Sequence, residues 1–170
     1  MAEQPAILPV SPTELSEGCA VGDGLLALNN AHAQELSWLD RDRLRDLVVQ
    51  SFLAVRIGEA DGFLLAFDQS ASYDSPNFLW FRDRYPRFVY IDRVVVSAEV
   101  RGRGYASCLY RHLFRHASRC HHNRVVCEVN ASPPNAVSEA FHAAIGFQQV
   151  GSATIHGGSK QVSYLSRAIE

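Results

Sequence analysis

The sequence VVVSAEVRGRGYASCL, residues 94–109, joins two elements of different character. The valines end an apolar run that is typical of a buried strand, and residues 105–119 place apolar side chains at helical spacing. Two arginines and two glycines lie between them, at positions 101–104. The first N–H groups of a helix lack internal partners and carry positive potential, and glycine lets a ligand approach the backbone closely. The junction therefore predicts an anion-binding turn, with phosphate as the candidate ligand.

Two common phosphate-binding motifs do not fit this turn. A Walker loop ends in Gly-Lys-Ser/Thr, which is missing here, and a dinucleotide fingerprint would need a third glycine where Ser107 stands. The pattern that remains is Arg-x-x-Gly-x-Ala, formed by Arg101, Gly104 and Ala106. An ordinary exposed turn with solvated arginines is the alternative interpretation.

Size and charge narrow the classes of function. The chain has 170 residues, 47% of them hydrophobic, which predicts one globular domain spanning residues 1–170. A formal net charge of -2 and a pI of about 6.4 do not favour a nucleic-acid binder or an anionic-membrane binder. The N-terminal residues lack a signal-peptide pattern, no window approaches the apolar length of a membrane span, and the four cysteines show no Cys-x-x-Cys spacing. We therefore expect a cytoplasmic protein with free thiols.

Residue patterns also predict the order of the secondary structure. The expected strands are residues 7–10, 52–57, 62–67, 88–96, 124–130, 147–155 and 161–167, and the expected helices are residues 23–36, 40–51, 77–84, 105–119 and 135–145. The strand–helix–strand unit in the middle should be parallel, and both ends look antiparallel. This order predicts an α/β (α+β) fold with one mixed sheet and helices on both faces.

Two motifs resemble those of the GNAT superfamily of N-acetyltransferases. Residues 94–110 are similar to its acyl-CoA-binding segment, Gln/Arg-x-x-Gly-x-Gly/Ala, and NAVSEAFHAAIGF at 135–147 is similar to its pattern Asn-x-x-Ala-x-x-Phe-Tyr-x-x-x-Gly-Phe. The resemblance covers residues 88–147 well and the remainder by element order. The combination of FVYIDRVVV with EVN, PPN and FH further resembles a bacterial subgroup of predicted acetyltransferases.

This resemblance implies the GNAT fold, a mostly antiparallel sheet of six to seven strands with a V-shaped splay between strands 4 and 5. It implies acetyl-CoA as cosubstrate, with the pyrophosphate on the turn and the pantetheine arm along the fourth strand. The residues that it assigns to the cofactor are Val94, Val95, Val96, Arg101, Gly102, Arg103, Gly104, Tyr105, Ala106, Asn130, Asn135, Ser138, Phe141 and His142. Relatives are often homodimers.

Acyl transfer to an amine needs a neutral amine, so a base must remove a proton. Asp92, two residues before Val94, is our first candidate, with an ion pair to Arg93 as the alternative interpretation. Glu128 is the second candidate, on the same face of its strand as Asn130. By resemblance, the backbone amide of Val94 would stabilise the oxyanion.

His142 stands where the family often has a tyrosine that protonates the leaving thiolate. A histidine can donate a proton as well, and the alternative is a helix-surface residue beside the cofactor. No cysteine fits as a nucleophile, which favours direct attack in a ternary complex. The pair His112 and His116 has helical zinc spacing but lacks the adjacent glutamate, so we expect no metal site.

The acceptor pocket should come from the first helices and the irregular aromatic segment before the fourth strand. The predicted acceptor-contacting residues are Asn29, Asn30, His32, Tyr73, Asn77, Trp80 and Phe81. Plain core packing is the alternative for the two aromatic residues Trp80 and Phe81. The expected acceptor is a primary amine of a small molecule or of an amino-acid-like or peptide-like compound. The competing hypotheses are a non-catalytic acyl-CoA-binding or regulatory domain and a turn that binds ATP.

Overall fold

The computed structural model of the protein describes residues 4–170. Within them the helices are α1 (Ala20–Ala31), α2 (Arg41–Gln50), α3 (Pro76–Arg82), α4 (Tyr105–Arg119) and α5 (Ala136–Ala144). The strands are β1 (Ile7–Pro9), β2 (Leu53–Ile57), β3 (Gly62–Asp68), β4 (Val89–Val96), β5 (Arg124–Ser132), β6 (Gln148–Ile155) and β7 (Lys160–Ala168). All seven strands form one sheet in the order β1-β2-β3-β4-β5-β7-β6. The predicted mixed sheet is therefore confirmed.

The sheet separates in its middle. Every neighbouring pair of strands is antiparallel except β4 and β5, which are parallel and pair only through Val89–Val125 and Tyr90–Val126. Beyond Tyr90, β4 pairs with β3 alone, and β5 pairs with β7 alone. The two strands diverge from that point, which gives the predicted splay and opens a cleft between them.

Alternating side chains on the strands build two cores, one on each face of the sheet. One core joins α1, α2 and α3 to residues such as Phe67, Tyr90 and Val126. The other joins α4 to residues such as Ile91 and Val125, with α5 packed at its edge. Because Glu128 has the same parity as Val126 on β5, its side chain lies on the α1–α3 face of the sheet.

A β-bulge interrupts β4 next to the cleft. In the β3–β4 register, Leu65 lies opposite Arg93 and Ala66 lies opposite Ile91, so Asp92 has no partner on β3. An extra residue of this kind bends the strand and redirects a side chain. The strand prediction did not include this bulge.

Helix α1 ends at Ala31, five residues before the predicted end. The Asn29 side chain donates to the Ser37 carbonyl at 3.0 Å, and the Asn30 Oδ1 accepts from the Leu39 N–H at 2.9 Å. These bonds satisfy backbone groups of the loop after the helix, as asparagine side chains commonly do near helix ends. The loop therefore turns back onto α1 instead of continuing the helix.

No helix in the described part of the chain is long and apolar enough to span a bilayer. All four cysteines are free thiols, and Cys108 and Cys127 are buried.

Candidate active site

The cleft between β4 and β5 is the candidate site, with a volume of about 370 Å³. Such a volume suits a small ligand. The sequence-predicted residues that line it are Tyr73, Asn77, Asp92, Val94, Glu128, Asn130, Asn135, Ser138 and His142. These residues come from α3, β4, β5 and α5, and from the loops that precede α3 and α5.

Asp92 is engaged on both of its oxygens. The Tyr73 hydroxyl donates to Oδ1 at 2.5 Å, and the Arg93 Nε donates to Oδ2 at 2.7 Å. Burial, followed by the nearby Asp92 charge, raises the pKa of Tyr73, so this phenol remains a donor at neutral pH. The Asp92 side chain is only 4% exposed. These contacts give each Asp92 oxygen a hydrogen-bond partner and fix the orientation of the carboxylate.

The Arg93 guanidinium lies deep beneath the cleft, with its side chain 5% exposed. It donates to Asn29 Oδ1 at 2.8 Å and to the Ser37 hydroxyl at 3.3 Å. Asn29, predicted to contact the acceptor, is fully buried and instead anchors this arginine. A buried charge needs such partners, so the network positions Asp92 and fixes α1 against β4.

Glu128, in contrast to Asp92, has one carboxylate oxygen without a hydrogen-bond partner. The Tyr90 hydroxyl donates to Oε1 at 3.1 Å, whereas Oε2 is buried and has no hydrogen-bond partner. Burial, and then repulsion by the Asp92 carboxylate, raises the pKa of Glu128 to about 7. A carboxyl group with this pKa and an unoccupied oxygen in a cleft is poised to exchange a proton near neutral pH.

His142 forms a buried pair with Tyr110. Its Nδ1 lies 2.7 Å from the Ser138 carbonyl, and its Nε2 lies 2.7 Å from the Tyr110 hydroxyl. A carbonyl only accepts, so Nδ1 carries the proton, and burial lowers the pKa of His142 and keeps the ring neutral. Nε2 must then accept from Tyr110. Tyr110, which is not among the residues predicted from sequence, is therefore the hydroxyl donor to His142, and burial raises the pKa of this phenol.

The glycine–arginine turn has the geometry of an anion site. Gly102 and Gly104 both have φ of 77°, the left-handed region that favours glycine. No side chain caps the N-terminus of α4, and a Cβ at either glycine would meet nothing within 4 Å. His32 accepts a hydrogen bond on Nε2 from Arg101 at 3.1 Å, so this predicted acceptor residue lies beside the turn instead.

Only some of the remaining predicted cofactor residues line the cleft. On β4, Val94 and Val96 are half-buried, whereas Val95 points into the opposite core and is 6% exposed. Asn135 caps α5 by accepting from the Ser138 N–H at 3.1 Å, and it also lines the cleft. The exposed or half-buried members are Arg101, Gly102, Arg103, Gly104, Tyr105, Ala106 and Phe141, none of which lines the cleft itself.

Five predicted acceptor residues do not line the cleft: Asn29 and His32, described above, and Asn30, Trp80 and Phe81. Phe81 is fully buried, and Trp80 stacks on Tyr164 with ring centroids 4.2 Å apart. The Asn30 side chain is occupied by the backbone of Leu39. These positions follow from core packing and loop closure, which the sequence pattern did not separate from ligand contact. The described residues contain no group of three or more His, Cys, Asp or Glu side chains that could hold a metal ion.

Comparison with known proteins identifies one family. The sequence model of the Acetyltransferase (GNAT) family matches residues 25–147. The ribosomal-protein-S18-alanine N-acetyltransferase of Escherichia coli superposes with a TM-score of 0.68 at 13% identity, over 98% of this chain and 94% of that one. A chain of the NatC complex bound to Gag peptide and CoA gives a TM-score of 0.73 at 13% identity, over 99% of this chain and 100% of that one.

A third solved structure, Salmonella typhimurium yncA with its cofactor acetyl-CoA, gives a TM-score of 0.70 at 16% identity, over 99% of this chain and 95% of that one. At such identities the similarity shows a shared fold. No curated protein sequence matches this chain.

Proposed function

This chain belongs to the GNAT family of acetyltransferases, and we propose that it moves the acetyl group of acetyl-CoA to a primary amine. The acceptor is a small molecule or an amino-acid-like or peptide-like compound, and the amine attacks the thioester directly in a ternary complex. The observation that carries this proposal is Glu128, which lines the cleft where β4 and β5 separate and has one buried oxygen without a hydrogen-bond partner. Two structural neighbours, an alanine N-acetyltransferase of ribosomal protein S18 and a chain of a complex bound to a peptide and CoA, are compatible with an amine acceptor.

Glu128 is the proposed base. Its pKa of about 7 makes a substantial fraction of the side chain ionised at neutral pH, and Oε2, which has no hydrogen-bond partner, is the proposed acceptor of the proton from the attacking amine or from a bridging water. Asp92 was our first candidate from sequence, but Tyr73 and Arg93 occupy its oxygens. Its proposed role is to hold Tyr73 and to raise the pKa of Glu128 through its negative charge.

Two negative charges develop in the reaction, one on the tetrahedral oxyanion and one on the departing CoA sulfur. Both have candidate partners in the cleft. Val94 lines the site, and its backbone N–H is the proposed donor to the tetrahedral oxyanion. Tyr110 is the proposed donor to the departing CoA sulfur, and His142 positions it by holding its hydroxyl between turnovers. Cys127 also lines the cleft, but burial raises the pKa of its thiol, which argues against an acyl-enzyme.

The direct test is an acetyl-CoA turnover screen over amines, amino acids and peptides, read as release of free CoA thiol. We expect at least one amine class to give saturable turnover. If acetyl-CoA binds with ordinary affinity and no amine accelerates CoA release, the catalytic proposal fails in favour of the non-catalytic acyl-CoA-binding domain. Thermal shift with ATP, compared with CoA, tests the nucleotide hypothesis.

Gly104→Val is expected to weaken acetyl-CoA binding by about tenfold or more. The added side chain would occupy the space outside the turn where the pyrophosphate is proposed to lie, and a β-branched residue strains the left-handed backbone by about 1–2 kcal/mol. Gly18→Val is the matched control, because Gly18 also has φ of 77° and open space around its Cβ position. Calorimetric titration with CoA should separate the two variants, and equal affinities would contradict the assignment of the turn.

Tyr110→Phe is expected to lower kcat by about 10- to 100-fold, because the departing thiolate loses its donor. Tyr164→Phe is the control, since it removes another buried hydroxyl, one that donates to Asn77 at 2.9 Å. Both variants should lose similar stability, about 1 kcal/mol, from one buried hydrogen bond. Steady-state kinetics at saturating substrates distinguishes them, and equal kcat values would remove Tyr110 from the mechanism.

A further inference from the structure

The chain holds a single lysine. Of its 16 lysines and arginines, only Lys160 is a lysine, and it lies at the start of β7, paired with Ile155 at the closed end of the β6–β7 hairpin. This half-buried residue lines the candidate cleft, together with His156 of the same hairpin. The position was not among the residues selected from sequence, because nothing in a lone lysine before a strand indicates a site.

Lys160 differs from Arg93, the arginine that lines the cleft, because it has no carboxylate partner within the described range of the chain. Arg93 is neutralised by Asp92 at 2.7 Å. Within residues 4–170, no carboxylate lies within 4.0 Å of the Lys160 ammonium. Among the residues that the structure describes, Lys160 is thus the lysine or arginine side chain of the cleft that has no carboxylate partner.

An unpaired ammonium and a carboxylate therefore face the same small cleft from different elements. Glu128 lies on β5 and Lys160 begins β7, while Glu35 adds an exposed carboxylate from the loop after α1 to those of Glu128 and Asp92. A ligand that carries a positive and a negative group would complement both charges at once. A diamine or a peptide N-terminus would satisfy the acidic side and leave Lys160 without a partner.

On this basis we propose that the acceptor is a small amino-carboxylate, with its amine at Glu128 and its free carboxylate at Lys160. This proposal rests on the proposed acetyltransferase function and narrows its substrate class. The reaction forms an amide bond between the acceptor nitrogen and the acetyl carbon and breaks the thioester C–S bond. The amine proton passes to Glu128 or to water, and CoA leaves with the electron pair of the broken bond.

The test uses the full chain, acetyl-CoA, the twenty amino acids and their α-carboxamides. We expect the wild-type protein to acetylate one or more amino acids with a KM at least about tenfold below that of the matching amide, in line with one partly buried ion pair. Lys160→Met should abolish most of this KM preference, and Lys160→Arg should retain it. Calorimetric titration with CoA checks that each variant keeps its cofactor site.

Other results would overturn the proposal. If amides or peptides are used as well as the free acids, or if Lys160→Met shifts both KM values equally, the carboxylate does not bind Lys160. If only amines without a carboxylate are acetylated, the acceptor class is wrong while the acetyltransferase function stands. If no amine of any class is acetylated, the function itself has failed, and the two failures are therefore distinguishable.

Discussion

Glu128→Gln is expected to lower kcat/KM for the amine acceptor by about 10²- to 10⁴-fold, the range typical for loss of a general base. Glutamine keeps the size of the side chain and can still accept from Tyr90, but it cannot take a proton from the amine. Asp92→Asn is the comparison, because it changes the other carboxylate of the cleft. A Glu128→Gln variant with near-normal turnover would exclude this residue as the base.

The same substitution should remove a pH dependence. With the pKa of Glu128 at about 7, the ionised, active fraction falls as pH drops below that value. For the wild-type protein, log kcat/KM should therefore rise with unit slope up to about pH 7 and then level off, apart from any ionisation of the free acceptor. In Glu128→Gln this limb should disappear from the residual activity.

As pH rises, the free energy of unfolding should fall, whereas the activity should increase. The pKa of Glu128 is higher in the folded protein than its ordinary value of 4.5, so the folded state binds more protons between about pH 4.5 and 7. The contribution of the side chain to stability is therefore fully present below pH 4.5 and is lost as pH rises through 7. Glu128→Gln should stabilise the protein by about 2–3 kcal/mol at pH 8 and have little effect at pH 4, as urea unfolding would measure.

Arg93→Met is expected to lower the free energy of unfolding by about 3–5 kcal/mol, the usual effect of leaving a buried charge without its partner. Asp92 would keep only the Tyr73 hydrogen bond, and Asn29 would lose the group that its Oδ1 binds. Arg41→Met is the control, because its ion pair with the half-exposed Asp23 is near the surface and should contribute about 1 kcal/mol or less. Urea unfolding midpoints give both values.

Asp92→Asn in the Arg93→Met background should recover part of the lost stability. The neutral amide removes the unpaired charge, so the double variant should be more stable than the sum of the two single changes predicts. Strict additivity, or an Arg93→Met loss below about 1 kcal/mol, would show that the pair contributes to the fold only through packing.

The parts of the fold predicted from sequence are those with strong local signals. Helix α4 has the predicted bounds because its apolar spacing is regular and a left-handed glycine precedes it. The bulge at Asp92 has no such signal, because a one-residue irregularity depends on how β3 and β4 pair across the sheet. The end of α1 depends on contacts between Asn29 and a residue eight positions away, which a helical period cannot reveal.

The residues of the candidate site were predicted better than the role of each residue in it. Both carboxylates were identified, but their ranking depends on partners distant in sequence: Tyr73 lies 19 residues from Asp92, and Tyr90 lies 38 residues from Glu128. The role of His142 depends likewise on Tyr110, 32 residues away. Burial and hydrogen-bond occupancy decide which group can move a proton, and neither quantity can be derived from a single residue's sequence neighbourhood.

Because β4 and β5 pair through only two residue pairs, the sheet consists of two parts, one ending at β4 and the other beginning at β5. The short pairing between them is a narrow seam. Phe81 lies over that seam, with its ring centroid 6.0 Å from Tyr90 of β4 and 5.1 Å from Tyr164 of β7. Because only two residue pairs join β4 to β5, we expect the packing of these aromatic side chains to influence the width of the cleft. Substitutions among these aromatic residues would therefore change the width of the cleft. They would alter the range of acceptors during evolution while the proton-transferring residues stay unchanged.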